Sequence, residues 1–283
     1  MKHYTKVLTI AGSETMGSAG INADIKSISA NGCFAMPAVT AIVDETPKKI
    51  KGYHHIPVDF VISQIESVID GVGVEAIKTG MLDSEELILA IYHKLKTYHL
   101  PPLVIDPVIV SSSDIQIISD GAIKAFKEGL FTLATIITPN LREARRLLER
   151  KIDTRSEMEQ AAKDLGEIYN TSVIIKSGEF EKDTHTDILY DNTTHKIHSF
   201  DYPQIHTKNV NGTGCSLSAT IATYLALGNK VYDAVKLSKE YIHHAILSGS
   251  EFEFGHGFGP VNHFYKGAPS QITQEDLSKK KCN

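Results

Sequence analysis

Three cysteines with no paired spacing, Cys33, Cys215 and Cys282, exclude a disulfide framework and a cysteine-built zinc site. Basic charge is not in excess: 29 Lys and Arg stand against 34 Asp and Glu, for a net charge of -5. The chain therefore lacks the clustered positive field that nucleic-acid binding demands, and small-molecule ligands are favoured. No long apolar run opens the sequence. MKHYTKVLTIAGSE has one stretch of strand length before a Gly/Ser turn, too brief for a signal-peptide core or a membrane span. A cytoplasmic setting with no membrane partner is expected. No internal repeat is visible, and 42% hydrophobic with 22% charged residues over 283 positions is ordinary globular composition. The expectation is one domain over residues 1–267 and a polar, frayed tail over 268–283 that carries Cys282.

Short β-rich apolar runs alternate with longer segments of helical period, the pattern of parallel strands joined by crossover helices, so the fold class is α/β. Strands are predicted at 7–11, 34–43, 75–79, 103–106, 135–138 and 173–176, followed by a hairpin of 187–190 with 196–200. Val61, Ile65, Val68 and Ile69 follow helical spacing, as do Leu87, Ala90, Ile91 and Leu95, whose helix is predicted to start near Ser84. Two closing helices are predicted, one from about Ser216 and one running from Tyr232 through Ile246.

Chemistry gathers at strand ends. Asn211-Gly212-Thr213-Gly214-Cys215-Ser216 lies between an extended segment and a helix start. Its glycines let backbone amides converge on one point, to which the helix adds its positive dipole end. Such an anion hole is what phosphoryl transfer needs, because its catalysis is mostly positioning and charge neutralisation. A plain Gly-rich helix cap is the alternative. Cys215, in the first helical turn, is expected to feel a dipole that lowers its thiol pKa toward neutrality and lets it act as a base; the alternative is a small buried hydrophobe. The N-terminal loop 11–20 also joins a strand to a helix. It lacks the Lys-Ser/Thr of a Walker loop and the spacing of a dinucleotide fingerprint, so it is read as a substrate loop, with Asp24 and Glu45 as polar groups near it or as solvated carboxylates. Asn140 and Glu143 fit a helix N-cap and capping box; with Asp106 they also make a hard-oxygen set for magnesium. Lys176, at the end of its strand, can reach a phosphate as a point charge or stand as a solvated strand end.

Taken together, these segments resemble the hydroxymethylpyrimidine/phosphomethylpyrimidine kinases of thiamin synthesis, in the ribokinase-like superfamily. The segments are LTIAGSE with SAGINAD, KTGML at 78–82, IDPVIV at 105–110, ATIITPNLREA at 134–144, IIKSG at 174–178, TKNVNGTGCSLSA at 207–219 and GFGPVNHFY at 257–265. The resemblance implies a three-layer fold with a central, mainly parallel sheet flanked by helices. It implies ATP over the C-terminal half, held by Asn140, Lys176, Thr207, Gly212 and Gly214, with its γ-phosphate at Gly212, Thr213 and Gly214. Cys215 takes the place of the sugar kinases' aspartate base. Asp106, Asn140 and Glu143 are implied to organise Mg2+, and Gly12, Asp24 and Glu45 to meet the pyrimidine. A homodimer is implied as well.

The chain departs from the family's usual pattern at several points: Glu14 for Asp in AGSD, Ser18 for Gly in GGAG, Asn211 for the His before GTGC, Ser111-Ser112-Ser113-Asp114 in the covering segment, and Thr46-Pro47-Lys48-Lys49 after Glu45. These bear on the acceptor. A pyridoxal kinase of the same superfamily, or a ligand-sensing homologue without efficient catalysis, are the alternatives kept open.

Overall fold

The computed structural model describes residues 2–110, 116–181 and 183–267; the expected covering segment at Ser111 to Asp114 and the tail with Cys282 lie outside them. Among the described residues nine strands form one sheet in the order β3-β2-β1-β4-β5-β6-β7-β8-β9. They are β1 (Lys6–Glu14), β2 (Phe34–Thr46), β3 (Lys49–His55), β4 (Ala76–Thr79), β5 (Leu103–Ile105), β6 (Ile136–Ile137), β7 (Ser172–Glu181), β8 (Thr184–Asp191) and β9 (Lys196–Pro203). From β2 across to β7 the pairings are parallel, while β3, β8 and β9 add antiparallel edges. The expected hairpin forms, with Asp187 opposite Phe200 and Tyr190 opposite Ile197.

Helices cover both faces: α1 (Gly20–Ala30), α2 (Val58–Gly71), α3 (Glu85–Leu95), α4 (Asp120–Glu128), α5 (Leu141–Leu148), α6 (Arg155–Tyr169), α7 (Thr213–Ala226) and α8 (Val231–Gly249). The strands explain the layering. Leu8, Ile10, Ile77, Leu103, Ile105, Ile137, Val173 and Ile175 enter one core with side chains of α2 to α6. Their neighbours Val7, Ala76, Val104, Ile136, Ile174 and Leu189 enter the other, against α1, α7 and α8. Strands buried on both faces read as continuous Val/Ile runs, which is why they were visible in the sequence.

Three elements were not. β3 has no period-2 pattern because six of its seven residues are exposed. α4 went unnamed, and so did α6, although Thr154 and Glu157 form a complete capping box at its start. Ser84 caps α3 as expected, accepting from Leu87 N at 3.2 Å.

β1 sits where the strand order reverses, with β2 on one side and β4 on the other. In such sheets ligands collect beyond the carboxyl ends of the strands around the reversal. Loop 15–19, Gly80, Asp106 and Asn140 follow strands at that edge, whereas Lys176, expected to end its strand, lies within β7, which runs on to Glu181.

Candidate active site

Two buried ion pairs stand at the carboxyl edge. Lys176 Nζ lies 2.9 Å from Asp106 Oδ1, which also accepts from Thr138 Oγ1 at 3.2 Å, and Ser218 Oγ approaches Asp106 Oδ2 at 3.4 Å. Lys176 is aimed by its backbone: its amide donates to Pro139 O at 2.9 Å, and the next residue, Ser177, takes φ +64 at a register shift against β8. That left-handed conformation is held by Asp187, whose Oδ1 accepts Ser177 N at 2.8 Å while Oδ2 pairs with Lys239 of α8 at 2.7 Å. Burial by itself would lower the Lys176 pKa, but Asp106 and then Glu143 outweigh it, and the ammonium stays charged.

The second pair joins Lys78 of β4 to Asp24 of α1 at 2.7 Å, with both side chains fully buried. Thr9 Oγ1 donates to the same Asp24 oxygen at 2.6 Å, and Oδ1 has no partner. Asp24 is therefore no solvent-facing carboxylate, and its unpaired Oδ1 is what it can offer a ligand. Burial raises the Asp24 pKa against the pull of Lys78, whereas Lys78 stays protonated because Asp24, Cys215 and Asp106 together overcome its desolvation. The sequence reading gave Lys78 no role, although a lysine inside the strand AIKT needs a buried anion.

The Gly212 to Cys215 segment differs from expectation in where its helix begins. α7 starts at Thr213, not Ser216, so Thr213, Gly214 and Cys215 are its first turn and Gly212 is the cap, at φ +79. No Cβ fits on Gly212 because it would run into the Ser18 carbonyl. A Cβ on Gly214 would come 3.4 Å from Lys176 Nζ and 3.8 Å from Asp106 Oδ2, which puts the helix start directly against the first ion pair. Hydroxyls buried along α7 bond back to its own carbonyls, as Thr220 does to Ser216 O at 2.8 Å. Behind the first turn, Ser216 Oγ meets His263 Nε2 at 3.0 Å.

The Cys215 thiol is not lowered. Burial pushes it up to about 11, and Asp24 and Asp106 add to that against the pull of Lys78 and of the Gly20 N–H, which donates to Sγ at 3.4 Å. The helix dipole is outweighed by desolvation and two carboxylates, and the sulfur carries its proton at neutral pH.

Asn140 caps α5 by accepting Glu143 N at 2.9 Å, while Glu143 returns Oε2 to Asn140 N at 2.8 Å and Oε1 to Ile109 N at 2.9 Å. The capping alternative is thus realised in full. Ile109 is presented by Val108, whose φ of +47 is strained for a β-branched residue. Burial raises Glu143 to about 7, Asp106 adding to it and Lys176 opposing it. Among the described residues no group of three or more His, Cys, Asp or Glu is arranged to hold a metal ion unaided.

Asn140, Lys176, Thr207, Thr213 and Gly214 line one cavity of about 560 Å³. Its far wall includes Tyr202, whose ring lies 4.9 Å from His243 and under Lys239. Gly12 and Glu45 are not among the residues that line this cavity. Gly12 is so close to Met81 that a Cβ would approach its Cε at 2.9 Å. Glu45, at the end of β2, is raised by burial and by Glu14. Glu14 is not a ligand group: its carboxylate accepts the backbone N–H groups of Met16, Gly17, Ser18 and Ala19. Departures at Thr46 to Lys49 form the turn between β2 and β3.

The model of the phosphomethylpyrimidine kinase family matches residues 14–262. The thiamine biosynthesis bifunctional protein ThiED of Geobacter sulfurreducens is 39% identical over 257 residues, 91% of this chain and 52% of that relative, so the chain spans about half the relative's length. A Bacillus subtilis pyridoxal kinase structure with ADP superposes with a TM-score of 0.84 at 34% identity, covering 92% of this chain and 98% of that one. A phosphomethylpyrimidine kinase structure from Clostridium difficile gives 0.75 at 35% identity, covering 85% and 99%.

Two predictions follow from the buried charges. Lys78→Met should cost about 3–5 kcal/mol by leaving the Asp24 carboxylate unpaired, and adding Asp24→Leu should restore most of it, read from urea unfolding; equal losses in both variants would contradict the pairing. Burial depresses His263 to about 4. The unfolded chain therefore holds the extra proton between about pH 6.5 and 4, and stability falls as pH drops through that window. Wild type should lose about 2 kcal/mol between pH 6.5 and 5 that His263→Asn keeps.

Proposed function

This chain belongs to the phosphomethylpyrimidine kinase family, and from that premise we propose that it transfers the γ-phosphoryl group of ATP to the hydroxymethyl group of 4-amino-5-hydroxymethyl-2-methylpyrimidine, to its monophosphate, or to both in turn. The observation that carries the reading is Gly214 at the head of α7 facing the Lys176–Asp106 pair at the end of a nucleotide-sized cavity. A triphosphate laid along that cavity brings its last phosphate to the α7 amides and the Lys176 ammonium, where charge spreading over the phosphoryl oxygens is neutralised. Asn140 and Thr207 line the path of the remaining phosphates, and Gly212 shapes the turn.

The acceptor comes from the side of Gly12, Glu45 and Asp24 Oδ1. Cys215, protonated at rest, serves the hydroxyl as a hydrogen-bond partner; to take the hydroxyl proton it first gives its own to solvent, and the thiolate then accepts that proton late, as the bond to phosphorus forms. That order suits a loose transition state, which demands little of a base early on. Asp106, Asn140 and Glu143 offer hard oxygens, and a carboxylate oxygen with one bonded N–H keeps a lone pair for a metal-bound water. They fit Mg2+ held chiefly by phosphates and waters. When bound, Mg2+ supplies charge neutralisation at the phosphates.

Pyridoxal is the second acceptor to test, because a pyridoxal kinase superposes at a TM-score of 0.84. A non-catalytic sensor is disfavoured by the intact Lys176–Asp106 pair. The same reading includes action as one domain over residues 1–267, supported by the single continuous sheet. It includes a homodimer, for which exposed Ile42, Ile50 and Tyr53 on the β2–β3 hairpin are the support. A cytoplasmic setting accords with the finding that no helix among the described residues is long and apolar enough to cross a membrane.

ADP release from Mg-ATP with hydroxymethylpyrimidine, its monophosphate and pyridoxal, each offered separately, tests the assignment. The pyrimidines should be turned over at least about tenfold faster, by kcat/KM, than pyridoxal, and silence with all three would remove the kinase reading. Cys215→Ala should lose most of kcat and keep ATP affinity; near-normal turnover would exclude its part at the hydroxyl. Glu143→Gln should raise the Mg2+ concentration for half-maximal turnover about tenfold, and an unchanged Mg2+ requirement would take Glu143 out of the metal set.

A further inference from the structure

Three positions where the chain departs from its family's usual pattern, Glu14, Ser18 and Asn211, touch one another. Glu14 gathers the amides of loop 16–19 and accepts the Ser18 hydroxyl at 3.3 Å. That hydroxyl in turn accepts Asn211 Nδ2 at 2.8 Å. Ser18 is fully buried and Glu14 is 9% exposed, so water does not compete strongly for these bonds. Ser18 stands two residues before Gly20, the first residue of α1, and Asn211 stands four residues before Cys215 in the first turn of α7.

We propose that the Glu14–Ser18–Asn211 chain is a latch that holds the substrate loop against the phosphate turn and so keeps the Gly20 amide on the Cys215 sulfur. The inference rests on the kinase reading for its effect on turnover, but the latch itself is independent of it. Backbone contact between Gly212 and the Ser18 carbonyl sets how closely the two loops approach. Such contact resists compression and does little against sliding along the surface. A directional hydrogen bond from Asn211 to Ser18 does resist sliding, and Glu14 keeps loop 16–19 from yielding when it is loaded. With sliding removed, the first free N–H of α1 stays directed at the sulfur of α7, 3.4 Å away. The negative charge that sits on that sulfur once its own proton has left to solvent, before it takes up the hydroxyl proton, then meets an amide already in place. Glu14, Ser18 and Asn211 are positioning residues: none lines the nucleotide cavity, so their loss falls on the chemical step. The three departures thus form one hydrogen-bonded set, an amide donor and a hydroxyl acceptor backed by a carboxylate.

The test is a cycle of Ser18→Ala, Asn211→Leu and the double variant in the full chain, with Asn211→Ser, too short to reach Ser18, in place of Asn211→Leu if that variant does not fold. Hydrogen exchange at the Gly20 amide is followed by NMR without ligands, and kcat and KM are measured with Mg-ATP and hydroxymethylpyrimidine. Each single variant should exchange Gly20 about tenfold faster, approaching the rate in Cys215→Ala. Each should lower kcat about tenfold with the KM for ATP within about twofold, and the double variant should be no worse than the weaker single. Unchanged Gly20 exchange in the single variants would overturn the latch, as would additive losses in the double. Absence of turnover in wild type would sink the kinase reading alone, because the exchange cycle still decides the latch.

Discussion

Burying an ammonium group is tolerable only beside an anion, and the carboxyl edge of this sheet contains two such groups, on Lys78 and Lys176. Each has its own aspartate, Asp24 and Asp106, at 2.7 and 2.9 Å, and each aspartate has a threonine hydroxyl from a neighbouring strand, Thr9 and Thr138. Breaking either pair would strand a desolvated charge. The strands, α1 and α7 are therefore tied at the positions where ligands collect. The strained φ at Ser177 and the Asp187–Lys239 pair beside it extend the same tie toward the nucleotide cavity.

That electrostatic frame explains why a thiol, not a carboxylate, suits position 215. Asp24 and Asp106 both act to suppress the ionisation of anything acidic placed there. A third carboxylate would either repel them or take up a proton. A thiol loses little by staying neutral there, and it still offers a polarisable hydrogen-bond partner to a hydroxyl. With burial pushing it up to about 11, Cys215 rests protonated and accepts no proton until it has given up its own; the thiolate then formed is a strong base. This is compatible with transfer in which bond breaking at phosphorus runs ahead of deprotonation.

How much of this was legible depended on the physics behind each feature. Buried parallel strands announce themselves because both faces demand Val and Ile, and Ser84 and Asn140 announce helix starts because orphan amides need acceptors. β3 stayed hidden, since an exposed edge strand demands no pattern. The wrong sign for Cys215 came from weighing the local dipole, which a sequence shows, without the burial and carboxylate neighbours, which it does not. Lys78 and Asp24 are 54 residues apart; their pairing is a product of the β1–β4 neighbourhood and of α1 crossing over it, so Asp24 read as a surface ligand until the fold closed over it.

The same division accounts for why phosphoryl transfer is easier to read from this chain than its acceptor. Neutralising a triphosphate requires charges, and buried charges need partners of fixed type, so Lys176, Asp106 and a glycine at 214 leave a residue signature. In the proposed reading, recognition of a small ring rests on shape and backbone: the closeness of Gly12 to Met81, one unpaired oxygen on Asp24, and the angle of a loop pinned by Glu14. There Glu14, Ser18 and Asn211 are joined to one another by hydrogen bonds. A motif read position by position registers three departures. In space they are one set of hydrogen bonds around an unchanged sulfur.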